Sequence, residues 1–165
     1  DIGCEYVIVG HSERRTLFGE TDEVVAKKIA AAYRNGLKPL LCVGETAAER
    51  EEGITETRIV AQLEKGLQGV DKEQASVLTV AYEPLWAIGT GNTATVKDAQ
   101  IVCLLIRNTL EKLFGEAAAR HIRVLYGGSV KEDNAGQFKT EGIDGVLVGG
   151  ASLQVKSFAK IVRSF

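Results

Sequence analysis

Three kinds of residue that can carry out chemistry follow apolar segments of this 165-residue chain: a carboxylate, an imidazole and pairs of glycines. Glu83 follows the strand-like run at 77–82, and Pro84 restricts it to an extended backbone. His11 follows Gly10 at the end of the first apolar run. A carboxylate can accept a proton from a substrate, and an imidazole can donate a hydrogen bond to a carbonyl oxygen. Together these two residues predict proton-transfer chemistry.

An apolar loop follows Glu83, where a surface loop would normally be polar. Its residues are Pro84, Leu85, Trp86, Ala87, Ile88 and Gly89, with Gly91 two positions further on. Glycine adopts backbone angles that are closed to other residues, so this segment could move as a lid. A lid that closes over Glu83 would hide its apolar side chains and exclude water from the base. The alternative is a core strand, a solvated carboxylate and a packed loop.

Residues 12–15, Ser-Glu-Arg-Arg, are predicted to form the first turn of a short helix directly after His11. An imidazole at a helix N-terminus feels a positive partial charge, which disfavours its protonated form. A neutral His11 would remain a hydrogen-bond donor to a carbonyl oxygen. Glu13 could hold a catalytic cation or belong to a solvated helix face. The alternative for His11 is a helix cap or an exposed turn residue.

Glycine pairs lie at the ends of the last two apolar runs. Gly127-Gly128 precedes Ser129, and Gly149-Gly150 ends the following run. Residues without side chains let backbone N–H groups approach an anion closely, and the Ser129 hydroxyl adds a donor. In barrels of eight βα units the phosphate site commonly lies in the last two such loops. One glycine pair is more often a tight turn, but two pairs at successive strand ends favour a phosphate site.

Five continuous apolar runs are expected to position these groups as buried parallel strands. They cover residues 6–10, 39–44, 77–83, 123–128 and 145–150. Helical patterns follow at 22–35, 55–67, 95–114, 131–138 and 152–162. Alternating strands and helices predict one α/β domain, and no segment resembles a linker. Because working groups in such folds lie at the carboxyl ends of the strands, the candidate residues should meet at one rim.

Composition and net charge limit the classes of protein to which this chain can belong. A hydrophobic fraction of 45% and a charged fraction of 25% are typical of a soluble globular domain. The net charge of −2 gives no basic footprint for nucleic acid. No apolar run approaches the ~18 residues of a membrane span. The three cysteines lack metal-ligand spacing and are expected to be reduced thiols of a cytoplasmic protein. The sequence has no methionine, so it is expected to be a fragment, a processed chain or an incomplete sequence.

Several motifs, taken in order, closely resemble the triosephosphate isomerase family. They are Val-Gly-His-Ser-Glu-Arg-Arg at 9–15, Cys-Val-Gly-Glu-Thr at 42–46, Ala-Tyr-Glu-Pro-Leu-Trp-Ala-Ile-Gly-Thr-Gly at 81–91, Tyr-Gly-Gly-Ser-Val at 126–130 and Gly-Val-Leu-Val-Gly-Gly-Ala-Ser-Leu at 145–153. The resemblance implies an α/β fold, the TIM (β/α)8 barrel. This chain would supply five consecutive βα units, the fourth to the eighth, as a single domain over residues 1–165. The first three units would be absent.

The resemblance also implies an activity and individual roles. The family interconverts dihydroxyacetone phosphate and glyceraldehyde 3-phosphate without a cofactor or metal. Glu83 would be the base and His11 the neutral electrophile, supported by Ser12 and Glu13. The lid would be residues 84–89, and the phosphate binders would be Gly89, Ser129, Gly149 and Gly150. The catalytic lysine, which Glu13 would support, and the loop that reaches the partner of the family's homodimer belong to the absent units. The activity of these 165 residues alone therefore stays open.

An incomplete barrel leaves two exposed sheet edges, expected near 7–9 and 146–148. The missing N-terminal segment or self-association is expected to cover them. Two other functions are also compatible with the sequence. Another phosphate-binding barrel, from histidine or tryptophan synthesis, would share the glycine loops but would not explain the His-Ser-Glu-Arg-Arg and Glu-Pro-Leu-Trp motifs. A non-catalytic folding or association fragment would need no lysine.

Overall fold

The computed structural model describes residues 2–88 and 93–165, in which strands and helices alternate. The strands are β1 (Tyr6–Val9), β2 (Lys38–Val43), β3 (Thr79–Tyr82), β4 (Arg123–Tyr126) and β5 (Gly145–Val146). The α-helices are α1 (Ser12–Phe18), α2 (Asp22–Arg34), α3 (Ala47–Glu51), α4 (Thr55–Gly66), α5 (Lys72–Ala75), α6 (Val96–Phe114), α7 (Glu116–Ala119) and α8 (Val155–Ser164). Short 3-10 helices lie at Leu85–Ala87, Ala135–Phe138 and Gly150–Leu153.

The five strands form one parallel sheet whose spatial order follows the chain, β1-β2-β3-β4-β5. This is the arrangement of consecutive βα units in a TIM barrel. The register pairs Val43 with Tyr82 and Tyr82 with Tyr126, so the carboxyl ends of β2, β3 and β4 lie level. The predicted α/β class and the five parallel strands of a partial barrel are confirmed.

Both faces of the central strands are buried, which explains why the strand sequences do not alternate between polar and apolar residues. One face carries Leu41, Val80 and Val124 into the large core shared with the helices. The other face carries Leu40, Cys42 and Ala81, with Leu125 and Leu147 packed against them. Glu83 continues the second face at the carboxyl end of β3, because side chains two apart share a face.

Side-chain caps fix where the helices begin. The Thr21 hydroxyl accepts a hydrogen bond from the Val24 N–H at the start of α2. Thr95 and Asp98 form a reciprocal capping box at the start of α6. A second capping box, between Thr46 and Glu49, begins α3, a helix that the sequence pattern did not predict.

Three expected boundaries were wrong. The helix expected at 131–138 is a turn followed by the 3-10 helix Ala135–Phe138, because the Asn134 side chain accepts the Lys131 N–H and closes the turn locally. The helix expected at 152–162 begins later, as α8, because Gly150–Leu153 forms its own 3-10 turn. The last strand ends at Val146, so the expected edge at 146–148 is shorter.

Apolar side chains are exposed at both ends of the sheet. Tyr6 and Ile8 of β1 are 44% and 48% exposed. Val155, Phe158 and Val162 form an exposed stripe on α8 with the i, i+3, i+7 spacing of one helix face. Each end strand pairs with a single neighbour within the described residues. The exposed Ile8 agrees with the open edge expected at 7–9, whereas the exposed stripe on α8 was not predicted.

Within residues 2–88 and 93–165, no helix is both long and apolar enough to cross a membrane. The same part of the chain holds no group of three or more His, Cys, Asp or Glu residues placed to bind a metal ion. Cys4 is exposed, whereas Cys42 and Cys103 are buried, and all three are free thiols.

Candidate active site

The carboxylate and the imidazole singled out in the sequence are in contact at the carboxyl ends of β3 and β1. His11 Nε2 lies 3.0 Å from Glu83 Oε1. The backbone N–H of Ser12 donates to the other oxygen, Glu83 Oε2, at 2.9 Å. Glu83 is 2% exposed, so this buried carboxylate has a donor on each oxygen. Ser12 thus contacts Glu83 through its backbone, and its own side chain is buried.

The start of α1 determines which ring nitrogen of neutral His11 carries the proton. Its Nδ1 accepts a hydrogen bond from the Glu13 backbone N–H at 3.3 Å, so His11 acts as the helix N-cap. A ring nitrogen that accepts an N–H carries no proton, which places the proton of the neutral ring on Nε2. Nε2–H therefore donates to Glu83 Oε1. A carbonyl oxygen placed at this point would receive the same hydrogen bond.

Burial raises the pKa of Glu83, because the ionised carboxylate loses its hydration. The Ser12 N–H and the neighbouring His11 oppose this rise by stabilising the charge. The Cys42 thiol lies in the same environment, and its pKa is raised by burial and by the negative charge of Glu83. A carboxylate with a raised pKa is a better proton acceptor when ionised, which suits a general base.

Arg15 braces the loop that carries His11. Its Nε donates to the Gly10 carbonyl at 2.7 Å, and its Nη1 donates to Asp22 Oδ1 at 2.6 Å. The guanidinium thereby ties the end of β1 to the start of α2. The residue pattern does not distinguish this arginine from the solvated face of α1.

Gly44 sets the position of the Glu83 backbone. A Cβ at residue 44 would lie 1.8 Å from the Glu83 carbonyl oxygen, so only glycine fits. The buried Gln62 of α4 holds this glycine from both sides. Its Oε1 accepts the Gly44 N–H at 2.8 Å, and its Nε2 donates to the Gly44 carbonyl at 3.0 Å.

The apolar loop after Glu83 is anchored by a second buried carboxylate, Glu45. Trp86 Nε1 donates to Glu45 Oε1 at 2.8 Å, and the Tyr82 hydroxyl donates to the same oxygen at 3.0 Å. The Arg50 guanidinium lies 4.2 Å from the centroid of the Trp86 ring. Sequence reasoning missed this anchor, because the two aromatic donors lie about forty residues from Glu45 in the sequence.

The predicted lid is described only at its beginning. Pro84 and Ala87 are buried, and Leu85, Trp86 and Ile88 are partly buried. Gly89, the expected hinge and phosphate contact, lies outside the described residues. The part of the lid that the structure describes therefore packs against the sheet end beside Glu83.

The glycine turns face the carboxylate and imidazole across one cavity. A cavity of about 400 Å³ is lined in part by His11, Glu13, Glu83, Gly128, Gly149 and Gly150. An adjoining cavity of about 470 Å³ shares Gly128, Gly149 and Gly150 and extends to Ser129 and Lys131. Among the predicted site residues that the structure describes, these two cavities are lined by His11, Glu13, Glu83, Ile88, Ser129, Gly149 and Gly150. Ser12 and lid residues 84–87 do not line either cavity. Lys131 was not predicted, and its place after a glycine turn is the signal that could have found it.

Several backbone donors on this side of the cavity have no acceptor among the residues that the structure describes. In the 3-10 turn after Gly149, Ser152 is the first residue whose N–H donates within the turn, to the Gly149 carbonyl at 2.9 Å. The N–H groups of Gly150 and Ala151 precede it and have no partner inside the turn. Among the described residues, the Ser129 N–H and hydroxyl likewise have no hydrogen-bond partner. Such a cluster of unused donors can bind an anion.

Glu13 is exposed beside His11 and lines the same cavity. Within residues 2–88 and 93–165 it forms no ion pair with a lysine or arginine. The cation that Glu13 was expected to support is therefore not found in the described part of the chain.

The fold and the cavity define a parallel βα-barrel protein whose polar groups gather at the carboxyl ends of its strands. The family model described as triosephosphate isomerase matches residues 1–165. The chain is 58% identical over 164 residues to the triosephosphate isomerases of Carboxydothermus hydrogenoformans and Moorella thermoacetica. It is 53% identical to that of a Roseiflexus species. This chain belongs to the triosephosphate isomerase family.

The matches cover nearly all of this chain but not all of the relatives. They include 99% of the chain, compared with 65% of the Carboxydothermus protein and 66% of the Moorella protein. The chain therefore spans just under two-thirds of the length of these relatives.

Proposed function

We propose that the protein to which this chain belongs interconverts dihydroxyacetone phosphate and glyceraldehyde 3-phosphate without a cofactor. Family membership supports the reaction. The observation that carries the proposal is the 3.0 Å contact between His11 Nε2 and Glu83 Oε1, in a cavity also lined by Gly128, Gly149 and Gly150. A base, a neutral hydrogen-bond donor and an anion site are three of the parts that this isomerisation requires.

Glu83 is the proposed base. It takes a proton from the carbon beside the substrate carbonyl, and the electron pair of that C–H bond moves toward the carbonyl oxygen to give an enediolate. His11 Nε2–H donates to the developing negative charge and passes protons between the two oxygens. Glu83 then returns its proton to the neighbouring carbon, so no atom is gained or lost. Burial supports this role because it raises the pKa of Glu83.

Substrate must displace existing contacts for this sequence to begin. Both oxygens of Glu83 are occupied, one by His11 and the other by the Ser12 N–H. We expect the substrate oxygen to replace the carboxylate at His11 Nε2, which frees Glu83 to approach the substrate carbon. Closure of the lid at 84–89 would accompany this step and exclude water.

The phosphate group is expected to bind to backbone donors across the cavity. The Ser129 hydroxyl and the N–H groups of Ser129, Gly149 and Gly150 would surround it, and Gly89 would join them on closure. Two glycines of this set are exposed to solvent, so an anion can reach them without rearrangement of the sheet. Binding the phosphate there would hold the carbon chain of the substrate between His11 and Glu83.

Some parts of the reaction lie beyond these 165 residues. We propose that the cation partner of Glu13, a catalytic lysine, comes from the part of the protein that this chain does not span. The same part would complete the barrel and form the homodimer contact. The three free thiols fit a cytoplasmic location for the protein.

A coupled isomerase assay tests the function. One sample is the 165-residue chain, and the other is a chimera in which the Carboxydothermus hydrogenoformans relative supplies the missing third of the length. The chimera should interconvert the two triose phosphates, whereas the chain alone should not. A folded chimera without isomerase activity would contradict the proposal.

A second candidate, association without catalysis, applies to the 165 residues by themselves. The exposed stripe of Val155, Phe158 and Val162 and the exposed Ile8 of β1 favour it. Light scattering should show large or heterogeneous assemblies of the chain alone, whereas the chimera should form a defined dimer. A monodisperse monomer of the chain alone would remove this candidate.

A further inference from the structure

We infer that Asn134 is the positioning residue for the phosphate loop, holding Ser129 so that its N–H and hydroxyl face the anion. This inference rests on the proposed function, because it concerns the same cavity. Asn134 lies five residues beyond Ser129, in the turn that precedes the 3-10 helix Ala135–Phe138.

The side-chain amide of Asn134 contacts the loop at two points. Its Oδ1 accepts the backbone N–H of Lys131 at 2.7 Å, and its Nδ2 donates to the carbonyl of Ser129 at 3.0 Å. The Lys131 carbonyl is held as well, because it accepts the N–H of Ala135 at 3.0 Å. The backbone from residue 129 to residue 131 is therefore fixed at both ends by one neighbouring turn.

The two hydrogen bonds of the Asn134 side chain, called the Asn134 clamp below, leave the N–H and hydroxyl of Ser129 available to a ligand. The Ser129 carbonyl is occupied by Asn134, whereas the Ser129 N–H and hydroxyl have no partner among the described residues. Ser129 lines the cavity together with Gly149 and Gly150. The peptide plane that Asn134 holds joins the Ser129 carbonyl to the Val130 N–H. Holding this plane restricts rotation about the Cα–C bond of Ser129, and so limits how its N–H and hydroxyl can turn relative to the neighbouring turn. Preorganised donors bind an anion better than donors that must first be ordered.

The hydrogen-exchange rates of the unmutated chimera give a first test that needs no variant. The Lys131 amide should exchange at least about tenfold more slowly than those of Glu132 and Asp133, which have no acceptor among the described residues. These three amides lie in one turn, so they share exposure to solvent and form an internal comparison. Equal exchange rates at all three amides would contradict the inference that Asn134 holds the Lys131 N–H.

Two variants of the chimera then separate the contacts. Asn134→Ala removes both, and Asn134→Ser can still accept the Lys131 N–H but is too short to reach the Ser129 carbonyl. Asn108→Ala is the matched control, because Asn108 is exposed on α6 away from the cavity. Inorganic phosphate is the probe, with its Kd measured by NMR shifts of the Ser129 and Gly150 amides.

We expect Asn134→Ala to raise the Kd for inorganic phosphate about tenfold, as loss of a hydrogen bond of typical strength would. The KM for dihydroxyacetone phosphate should rise by the same factor, with kcat little changed. Asn134→Ser should show a smaller rise, and Asn108→Ala should show none. Turnover of glyceraldehyde, which lacks the phosphate, should be unaffected by all three substitutions.

A purely structural role would give a different pattern. It would lower Tm and kcat and would leave the phosphate Kd of the folded fraction unchanged, and that result would overturn the inference. Wild-type phosphate affinity in Asn134→Ser would overturn it as well. If the unmutated chimera binds phosphate through Ser129 but does not isomerise, the proposed function fails and the positioning role stands. If it isomerises and Asn134→Ala keeps the wild-type Kd and KM, the positioning role fails alone.

Discussion

The two sides of the cavity are built in different ways. On the side of Glu83 and His11, side chains supply the proposed functional groups. Both side chains have hydrogen-bond partners, and Glu83 is buried whereas His11 is partly exposed. On the side of Gly149 and Gly150, the backbone supplies the donors, and these glycines are exposed. A proton acceptor needs a dry surrounding that tunes its basicity, whereas a charged phosphate needs many unused donors within reach of water. The first side should therefore tolerate change poorly, and the second should lose affinity in small steps.

The largest expected effect is on the carboxylate side. Glu83→Asp in the chimera would withdraw the carboxylate by about one methylene, and a displacement of ~1 Å can cost about a hundredfold in rate. We therefore expect kcat to fall about a hundredfold or more, with the affinity for inorganic phosphate unchanged. Steady-state kinetics in both directions measure the first quantity, and a phosphate titration measures the second. Equal turnover of the two proteins would remove Glu83 as the base.

Two glycine-to-alanine substitutions compare the tolerance of the two sides. Gly44→Ala would place a Cβ 1.8 Å from the Glu83 carbonyl oxygen, whereas a Cβ at Gly150 would meet nothing within 4 Å. Overpacking of this kind costs about 1–3 kcal/mol and sometimes more. The free energy of unfolding should fall by that amount in Gly44→Ala and by less than about 0.5 kcal/mol in Gly150→Ala. Denaturant unfolding of the chimera measures both, and similar losses in the two variants would contradict the contrast.

A smaller effect is expected when one donor is removed from the anion side. Ser129→Ala takes away a hydroxyl but leaves the backbone N–H groups in place, so the loss is that of one hydrogen bond. The KM for dihydroxyacetone phosphate should rise by up to about tenfold, with kcat nearly constant. A fall in kcat comparable to that of Glu83→Asp would show that the two sides are not separate.

Substitutions on the two sides of the cavity should differ in how their effect on the free energy of unfolding depends on pH. A modest pH dependence is expected for the carboxylate side. The pKa of Glu83 is raised by burial, so its ionisation destabilises the folded state as the pH rises through that pKa. Glu83→Gln cannot ionise, and its stability relative to the unmutated chimera should therefore increase from acidic toward neutral pH. The Ser129→Ala difference should be independent of pH, because no ionisable group changes. A constant Glu83→Gln difference across this range would contradict the assigned burial effect.

The sequence predicts the parts of the site that occupy strand ends. Glu83, His11 and the two glycine pairs follow apolar runs, and the parallel sheet brings them to one rim as expected. Strand position alone carries that information, because the carboxyl ends of parallel strands must lie together.

The supporting contacts could not be predicted, because they depend on side-chain geometry between distant elements. Gln62 reaches Gly44 across 18 residues of sequence, and Glu45 collects donors from Tyr82 and Trp86 across about forty. The Asn134 clamp replaced a predicted helical turn, since an asparagine side chain can satisfy the backbone locally instead of a helix. Periodicity reports which residues are buried, but it does not report which buried polar groups pair.

The most direct measurement is exchange of the carbon-bound proton of dihydroxyacetone phosphate in D₂O, followed by NMR in the chimera and in Glu83→Gln. The unmutated chimera should incorporate deuterium at the carbon beside the carbonyl. Glu83→Gln should lose this exchange while binding inorganic phosphate with unchanged affinity, because the proposed base and the proposed anion site are built from separate parts of the cavity. Exchange at the unmutated rate in Glu83→Gln would contradict the role of Glu83, and simultaneous loss of phosphate binding would contradict the separation of the two sides.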